Sequence, residues 1–339
     1  MVATRAEVAA LAGVSPSTVT YVLTGKRPTS PATRDRVHRA VETLGYRPSA
    51  AARSLASHSM HTVGVLFRRQ RAIIDANDLD YVDGARAALE SRGIQVVLPV
   101  LSTGALSEEI NALVGSRAVD GAILMDVAHQ DFRERLLVAG GLPTVLLGFS
   151  GAIDGAPWID ADFSEMAACS LRHLVELGHR RIMAVLRHVG SQGSNADHAL
   201  ARGLTEWAEA LSITLVVRTV PDDPLAGASL VGAEGLEEGC TAVVAASSSA
   251  LAGLVSAAHA HGLSIPADLS MVSLGTSETM GGRGITECCV DRVALGRAAG
   301  ELLALHAAGQ ARGQPRLMPV RLTDHGSTAA RRHDAPARP

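Results

Sequence analysis

Apolar residues follow two different rhythms along this chain. Over the first 46 residues they recur at helical spacing in three short runs, and beyond residue 61 they gather into continuous apolar stretches separated by amphipathic ones. The first run opens on Thr4-Arg5-Ala6-Glu7, a capping box in which Thr4 and Glu7 satisfy each other's helix-end amides. Val8 and Leu11 supply its apolar stripe before Gly13 turns the chain. Ser15-Pro16 starts a second helix, with serine as the cap, proline at the first helical position, and Val19, Val22 and Leu23 as the buried face. Ser30-Pro31 repeats the device, and Val37, Val41 and Leu44 stand at i, i+4 and i+7 on a third helix. Two helices joined by a short glycine turn and buttressed by a third predict a helix-turn-helix, the geometry that lays one helix in a DNA major groove.

Past residue 61 the apolar runs read as strands over 62–67, 94–101, 121–125, 144–147, 181–186, 213–220, 241–246 and 270–274. Helical patterns lie between many of them, at 80–92, 163–177, 199–210, 250–261 and 293–308. Buried strands alternating with helices predict an α/β fold with parallel sheets, and so many strands exceed one small sheet.

Charge sharpens the picture. Residues 1–60 hold eight Lys and Arg against three acids, a net +5, whereas the whole chain is −3, so residues 61–339 carry −8. A basic head on an acidic body is the electrostatic footprint of a nucleic-acid reader, because phosphate contacts release counterions. A small three-helix cap on a larger domain, or a helical protein-docking module, is the alternative, and the charge argues against both. The length of 339 residues and 47% hydrophobic content suit two or three domains. Met1-Val2-Ala3-Thr4-Arg5 leads into no apolar signal-peptide region, and no stretch offers 18 consecutive apolar residues, so a cytoplasmic protein without membrane contact is expected. Cys169, Cys240, Cys288 and Cys289 have neither disulfide-framework nor zinc spacing, and no metal or cofactor is expected.

The run from Val8 to Gly25 resembles the first two helices of the LacI/GalR family of transcriptional regulators almost position for position. Leu44-Gly45-Tyr46-Arg47-Pro48 followed by Ser49–Leu55 resembles that family's hinge, and Leu177-Gly178-His179, Gly262–Asp268 and Ser327-Thr328 resemble landmarks of its body. The resemblance implies a helix-turn-helix head over 1–48, a hinge helix over 49–60, and a two-lobed, periplasmic-binding-protein-like body over 61–328. Its two lobes would be joined by three crossovers around a ligand cleft. The Ala/Arg/Pro-rich segment 329–339 is expected to be disordered.

By the same resemblance, Pro16, Ser17 and Tyr21 fall where the family touches base edges. Pro16 has no donor and Tyr21 stands where arginine is frequent, so a bidentate pair with guanine is lost and the sequence preference shifts. The hydroxyls of Thr4, Ser15, Thr18, Thr20, Thr24, Ser30 and Thr33 are candidate phosphate contacts, with simple capping as the alternative for Thr4, Ser15 and Ser30. In the hinge, Leu55 matches the family's minor-groove wedge, with Ala52 packing between two copies. Too short to be stable alone, this segment would fold on DNA, and a plain linker is the alternative. One head offers little surface, so a homodimer on a pseudo-palindromic operator is expected, with the region 80–92 contributing to dimerisation.

The cleft departs from the family pattern. Asp162 keeps a common aspartate but is followed by Phe163. Leu200 stands at a frequent arginine, Ser247-Ser248 at an Asn-Asp pair, Gly275 and Thr276 at aspartates, and Gly148-Phe149 at an Asp-Arg pair. Phe149, Asp162, Phe163, Leu200, Ser248 and Thr276 are therefore the candidate effector residues. They imply a less charged, partly aromatic cleft and a small-molecule effector other than a typical sugar, with a degenerate pocket that responds little to ligand as the alternative. An enzyme is disfavoured, since Gly-x-Ser-x-Gly, Walker A, Gly-x-Gly-x-x-Gly and His-Glu-x-x-His are missing. A solute-binding protein, or an enzyme-like sensor of the same body fold without regulatory DNA binding, is the remaining rival. The reading is a sequence-specific DNA-binding regulator, a repressor by the family's usual mode.

Overall fold

The computed structural model describes residues 4–24, 27–46, 60–67, 76–99, 101, 105–152, 155–188, 193–232, 235–236, 239–276, 279–280, 283–310 and 316–331. Its first elements are α1 (Arg5–Ala12), α2 (Pro16–Thr24) and α3 (Pro31–Leu44). The Thr4–Glu7 capping box forms, with Thr4 N donating to Glu7 Oε2 at 2.6 Å and Glu7 N donating to Thr4 Oγ1 at 3.3 Å. Those bonds hold the exposed Glu7 carboxyl below its ordinary pKa. Gly13 at φ 63° ends α1, and Val14 N reaches back to Ala9 O at 3.0 Å, the paired bonding of a left-handed C-cap. The chain leaves that turn with α2 at 97° to α1. Val8, Ala9, Ala12, Val19, Val37, Ala40 and Tyr46 form the buried centre, flanked by Val22, Leu23, Val41 and Leu44. Leu11 corrects the expected stripe: it is 54% exposed. The small side chains of Ala9 and Ala12 face inward instead, and Leu11 lies on the flank of α1.

The body contains two six-stranded sheets. Strands β1 (Thr62–Leu66), β2 (Gln95–Val97), β3 (Gly121–Leu124), β4 (Thr144–Leu147) and β5 (Trp158–Ala161) belong to the first, with β6 (Arg181–Arg187) and β7 (Thr214–Val220) in the second. After the short hairpin β8 (Val231–Gly232) and β9 (Gly235–Leu236), the second sheet continues with β10 (Ala242–Ala245) and β11 (Ser270–Leu274). A further hairpin, β12 (Thr279–Met280) and β13 (Arg283–Gly284), precedes β14 (Thr286–Val290), β15 (Arg316–Met318) and β16 (Val320–Thr323). The sheet orders are β15-β5-β4-β3-β1-β2 and β16-β14-β11-β10-β6-β7, parallel throughout except for the antiparallel pair β14–β16. Central strands β3, β10 and β11 are buried along their whole length, as strands covered on both faces must be.

The helices of the body are α4 (Ala76–Glu90), α5 (Leu106–Gly115), α6 (Phe132–Ala139), α7 (Phe163–Glu176), α8 (Asn195–Ala210), α9 (Pro224–Ala228), α10 (Ser248–Ala260) and α11 (Arg292–Ala307). The chain crosses between sheets three times, after β5, after β14 and between β15 and β16. Asp162 and Asp291 sit at the first two crossovers, where each caps the following helix, accepting from Glu165 N and Ala294 N respectively at 2.9 Å. Helices α4 and α11 approach backbone to backbone: a Cβ on Gly296 would lie 1.9 Å from Tyr81 O, and one on Gly84 2.0 Å from Val293 O. One face of the helix expected to dimerise is thus already covered by α11 of the same chain.

Two landmarks of the body turn out to be fastenings for its last strap. Buried His179 bonds Thr241 Oγ1 at 2.8 Å, Ser270 Oγ at 3.0 Å and the Ala329 carbonyl at 3.1 Å. Ser327 Oγ donates to Met271 O at 2.6 Å and accepts from Thr286 N at 2.8 Å. Arg331 N donates to Leu177 O at 2.8 Å. Residues 329–331 are therefore tied down, which corrects the start of the expected disordered tail; residues 332–339 lie outside the described residues.

Candidate nucleic-acid interface and ligand cavity

The start of α2 leaves Ser15, Pro16 and Ser17 exposed, with Thr18, Thr20 and Tyr21 half-buried and Val19 turned into the core. Its start is fixed by Ser15, whose Oγ accepts from Thr18 N at 3.1 Å and lies 2.9 Å from Thr18 Oγ1. Thr20 Oγ1 donates to Pro16 O at 3.1 Å and accepts from Arg5 Nη1 at 3.3 Å. The Arg27 guanidinium stands 5.3 Å over the Tyr21 ring, holding the phenol and a positive charge together. Ser30 caps α3 by accepting from Thr33 N at 3.2 Å. Thr24 is the last residue of α2. Arg5, Arg27, Arg34, Arg36 and Arg39 are all exposed. Ala52 and Leu55 fall outside the described residues.

A cavity of about 470 Å³ opens where the carboxyl ends of strands from both sheets converge, the usual ligand position in open parallel sheets. Of the six effector candidates, Phe163, Leu200, Ser248 and Thr276 line it together. Phe149 does not: Gly148, at φ 129°, turns the chain so that the Phe149 ring stacks on Trp158 at 4.7 Å while its carbonyl accepts from the Asn195 amide. Asp162 is likewise outside, committed to capping α7.

The wall is more charged than the sequence suggested. Asp78, Asp126, Asp160 and Asp197 line it, with Arg187 from the end of β6. Arg187 directs Nε and Nη2 to Asp197 Oδ1 at 3.1 and 2.6 Å. Leu200 thus leaves an aliphatic wall while the guanidinium arrives from the strand. Asp160 is 8% exposed and accepts from Ala161 N at 2.9 Å; burial pushes its pKa up to about 7. Burial also raises the neighbouring Tyr81 phenol. Ser248 Oγ, at the first position of α10, is buried without a hydrogen-bond partner among the described residues. The sequence signal for Asp160 is an acid set in a short apolar segment, Trp158-Ile159-Asp160-Ala161, too brief and too interrupted to register as an apolar run.

The two lobes are latched at the cavity rim. Ala128 and Ser194 form an antiparallel bridge, and Asn195 N donates to Val127 O at 2.8 Å.

Residues 4–49 match the family model described as bacterial regulatory proteins, lacI family, and residues 171–328 match a periplasmic binding protein-like domain. The transcriptional regulator MalR of Streptomyces coelicolor is 33% identical over 288 residues, covering 80% of each chain. The chain belongs to the LacI family. The regulator CelR of Thermobifida fusca is 34% identical over 185 residues, 52% of this chain and 54% of that one. Among solved structures, a CelR–cellobiose complex superposes with a TM-score of 0.68 at 25% identity, over 96% of this chain and 99% of that one. The lac repressor dimer bound to operator and an anti-inducer gives 0.81 at 24% identity, over 97% and 100%, a likeness of fold. As a LacI-family member the chain is a DNA-binding transcriptional regulator, and its relatives are regulators of transcription. Among the described residues no single helix is long and apolar enough to cross a membrane.

Proposed function

We propose that this regulator acts in the cytoplasm as a homodimeric repressor, reading a pseudo-palindromic operator and responding without turnover to a small molecule in the interlobe cavity. The observation that carries this reading is the exposed start of α2, set at 97° to α1 in a head whose described arginines all face solvent. Pro16, Ser17 and Tyr21 meet base edges in the major groove. Thr4, Ser15, Thr18, Thr20, Thr24, Ser30 and Thr33 meet phosphates, several of them while capping helices. Ala52 and Leu55 fold on DNA as a paired hinge, and Leu55 wedges a base step open. Regulation follows from the cavity's position: Tyr81, Asp126 and Asp160 of the first lobe face Phe163, Leu200, Ser248 and Thr276 of the second, so an occupant biases the lobe arrangement that the paired heads sense. CelR has been solved with cellobiose; here the acid-rich wall supports an effector other than a typical neutral sugar.

Genome-wide footprinting of the bound sites tests this. Two-fold symmetric sites near promoters are expected, and Leu55→Ser should lose them while melting at the wild-type temperature. Scattered sites without symmetry, or full operator affinity in Leu55→Ser, would overturn the reading of head and hinge.

A further inference from the structure

Resting on the reading of the cavity as an effector site, we propose that the effector carries a positively charged amine, seated against Asp160, and an oxygen-bearing group held by Ser248 and Arg187. The cavity wall is electrostatically lopsided. Asp78, Asp126 and Asp160 come from the first lobe, and the one cation among the described residues of the wall, Arg187, is drawn to Asp197 on the second. Asp78 lies in the first turn of α4, where the helix end already balances it. Asp160 has no such balance among the described residues. Its carboxyl is more than nine-tenths buried, and its hydrogen bond comes from the amide of its own neighbour, Ala161.

A carboxylate withdrawn from water without a counter-charge is destabilising, and a neutral hydroxyl returns only part of that loss, whereas an ammonium supplies both charge and donors. Tyr81, Phe67 and Phe163 line the same cavity and give aromatic surface of the kind that attracts cations. On the opposite lobe, the Ser248 hydroxyl is buried with no partner among the described residues, so a polar ligand atom would satisfy it. Arg187 keeps Nη1 outside its bonds to Asp197 and adds a donor for a ligand oxygen. The shape of the demand is an aminated polyol: cationic at one end, oxygen-rich at the other.

The full chain is titrated calorimetrically at pH 7 with matched pairs, glucosamine against glucose and galactosamine against galactose, together with the N-acetylated forms, whose nitrogen is neutral. At least one free amine should bind about tenfold or more tightly than its hydroxyl parent, the margin of a charge-assisted over a neutral hydrogen bond, and N-acetylation should erase the gain. Asp160→Asn should bring amine and parent to equal affinity while leaving the protein folded, as its melting curve reports. Equal binding of amine and parent by the wild type, no binding by any amine, or a preference that survives in Asp160→Asn overturns the proposal. The effector-site reading fails separately, if Leu200→Trp, which fills the cavity, leaves operator affinity unchanged.

Discussion

Arg133 and Asp131, two residues apart, form an ion pair with both side chains withdrawn from solvent, Nη2 to Oδ2 at 2.7 Å. The guanidinium also donates to the carbonyls of Leu66 at 3.2 Å, Met125 at 2.9 Å and Asp126 at 3.2 Å. Met125, Asp126 and Val127 line the cavity, and Val127 accepts the latch bond from Asn195. One buried cation thus fixes the strand ends that face ligand and partner lobe at once. Removing one member of such a pair strands the other's charge, at about 3–5 kcal/mol. Arg133→Met should lower the unfolding free energy by that amount, read as a lower urea midpoint with an unchanged slope. Burial alone would raise the Asp131 carboxyl, but Arg133 and two backbone amides outweigh it and hold it below its ordinary value. This contribution is present above the unfolded carboxyl value of about 3.9 and is lost as pH falls through the lower folded value.

Asp160 has the opposite sign. Its folded carboxyl titrates near 7 and its unfolded one near about 3.9, so folding takes up a proton between those limits. Its effect on stability is nil below the unfolded value and grows unfavourable as pH rises toward 7. Asp160→Asn should therefore stabilise the ligand-free protein at pH 8, on the order of 4 kcal/mol, and have little effect near pH 4. Denaturant midpoints at the two pH values give the comparison; a pH-independent difference would contradict the assignment.

Tyr21 is half-buried under Arg27 and contributes little to the head's core. Tyr21→Ala should leave the melting temperature within a degree or two and cost about 1–3 kcal/mol at the operator, flattening discrimination at one base pair per half-site. Binding to random duplex should barely change. Anisotropy titrations on operator variants measure both.

Gly296 bears on the α4–α11 contact. Because an added Cβ meets the Tyr81 carbonyl carbon at 2.7 Å as well as its oxygen at 1.9 Å, Gly296→Ala cannot be absorbed by a side-chain rotation. A loss of about 3 kcal/mol or more is expected by thermal unfolding. Gly93, at φ 73° with open space around its Cβ position, should lose less when changed to alanine, through backbone strain alone.

Much of this fold was legible because capping chemistry is local. Thr4, Ser15 and Ser30 start their helices as the sequence implies, and Gly13 ends the first. The long apolar runs became central strands. The strands at 158–161, 286–290, 316–318 and 320–323, and the helices at 106–115 and 132–139, were not legible. Their polar insertions, Asp160 and Glu287 among them, break the apolar rhythm because one faces the cavity and the other lies beside edge strand β16. The cavity wall was half legible for a related reason. Phe163, Leu200, Ser248 and Thr276 were legible through their match to family landmarks, whereas Arg187 and Asp197 meet only because β6 and α8 flank one loop. Phe149 and Asp162 were drawn away by a glycine turn and a helix cap, local demands that outrank a place on the cavity wall.

The most direct measurement is fluorescence anisotropy of the full chain on a footprinted operator and on random duplex, each across 50–200 mM salt. Affinity for the operator should exceed that for random duplex by about 10³ or more, both falling steeply with salt as phosphate contacts release counterions. Equal affinity for the two duplexes at every salt concentration would contradict a regulator that reads sequence through this head.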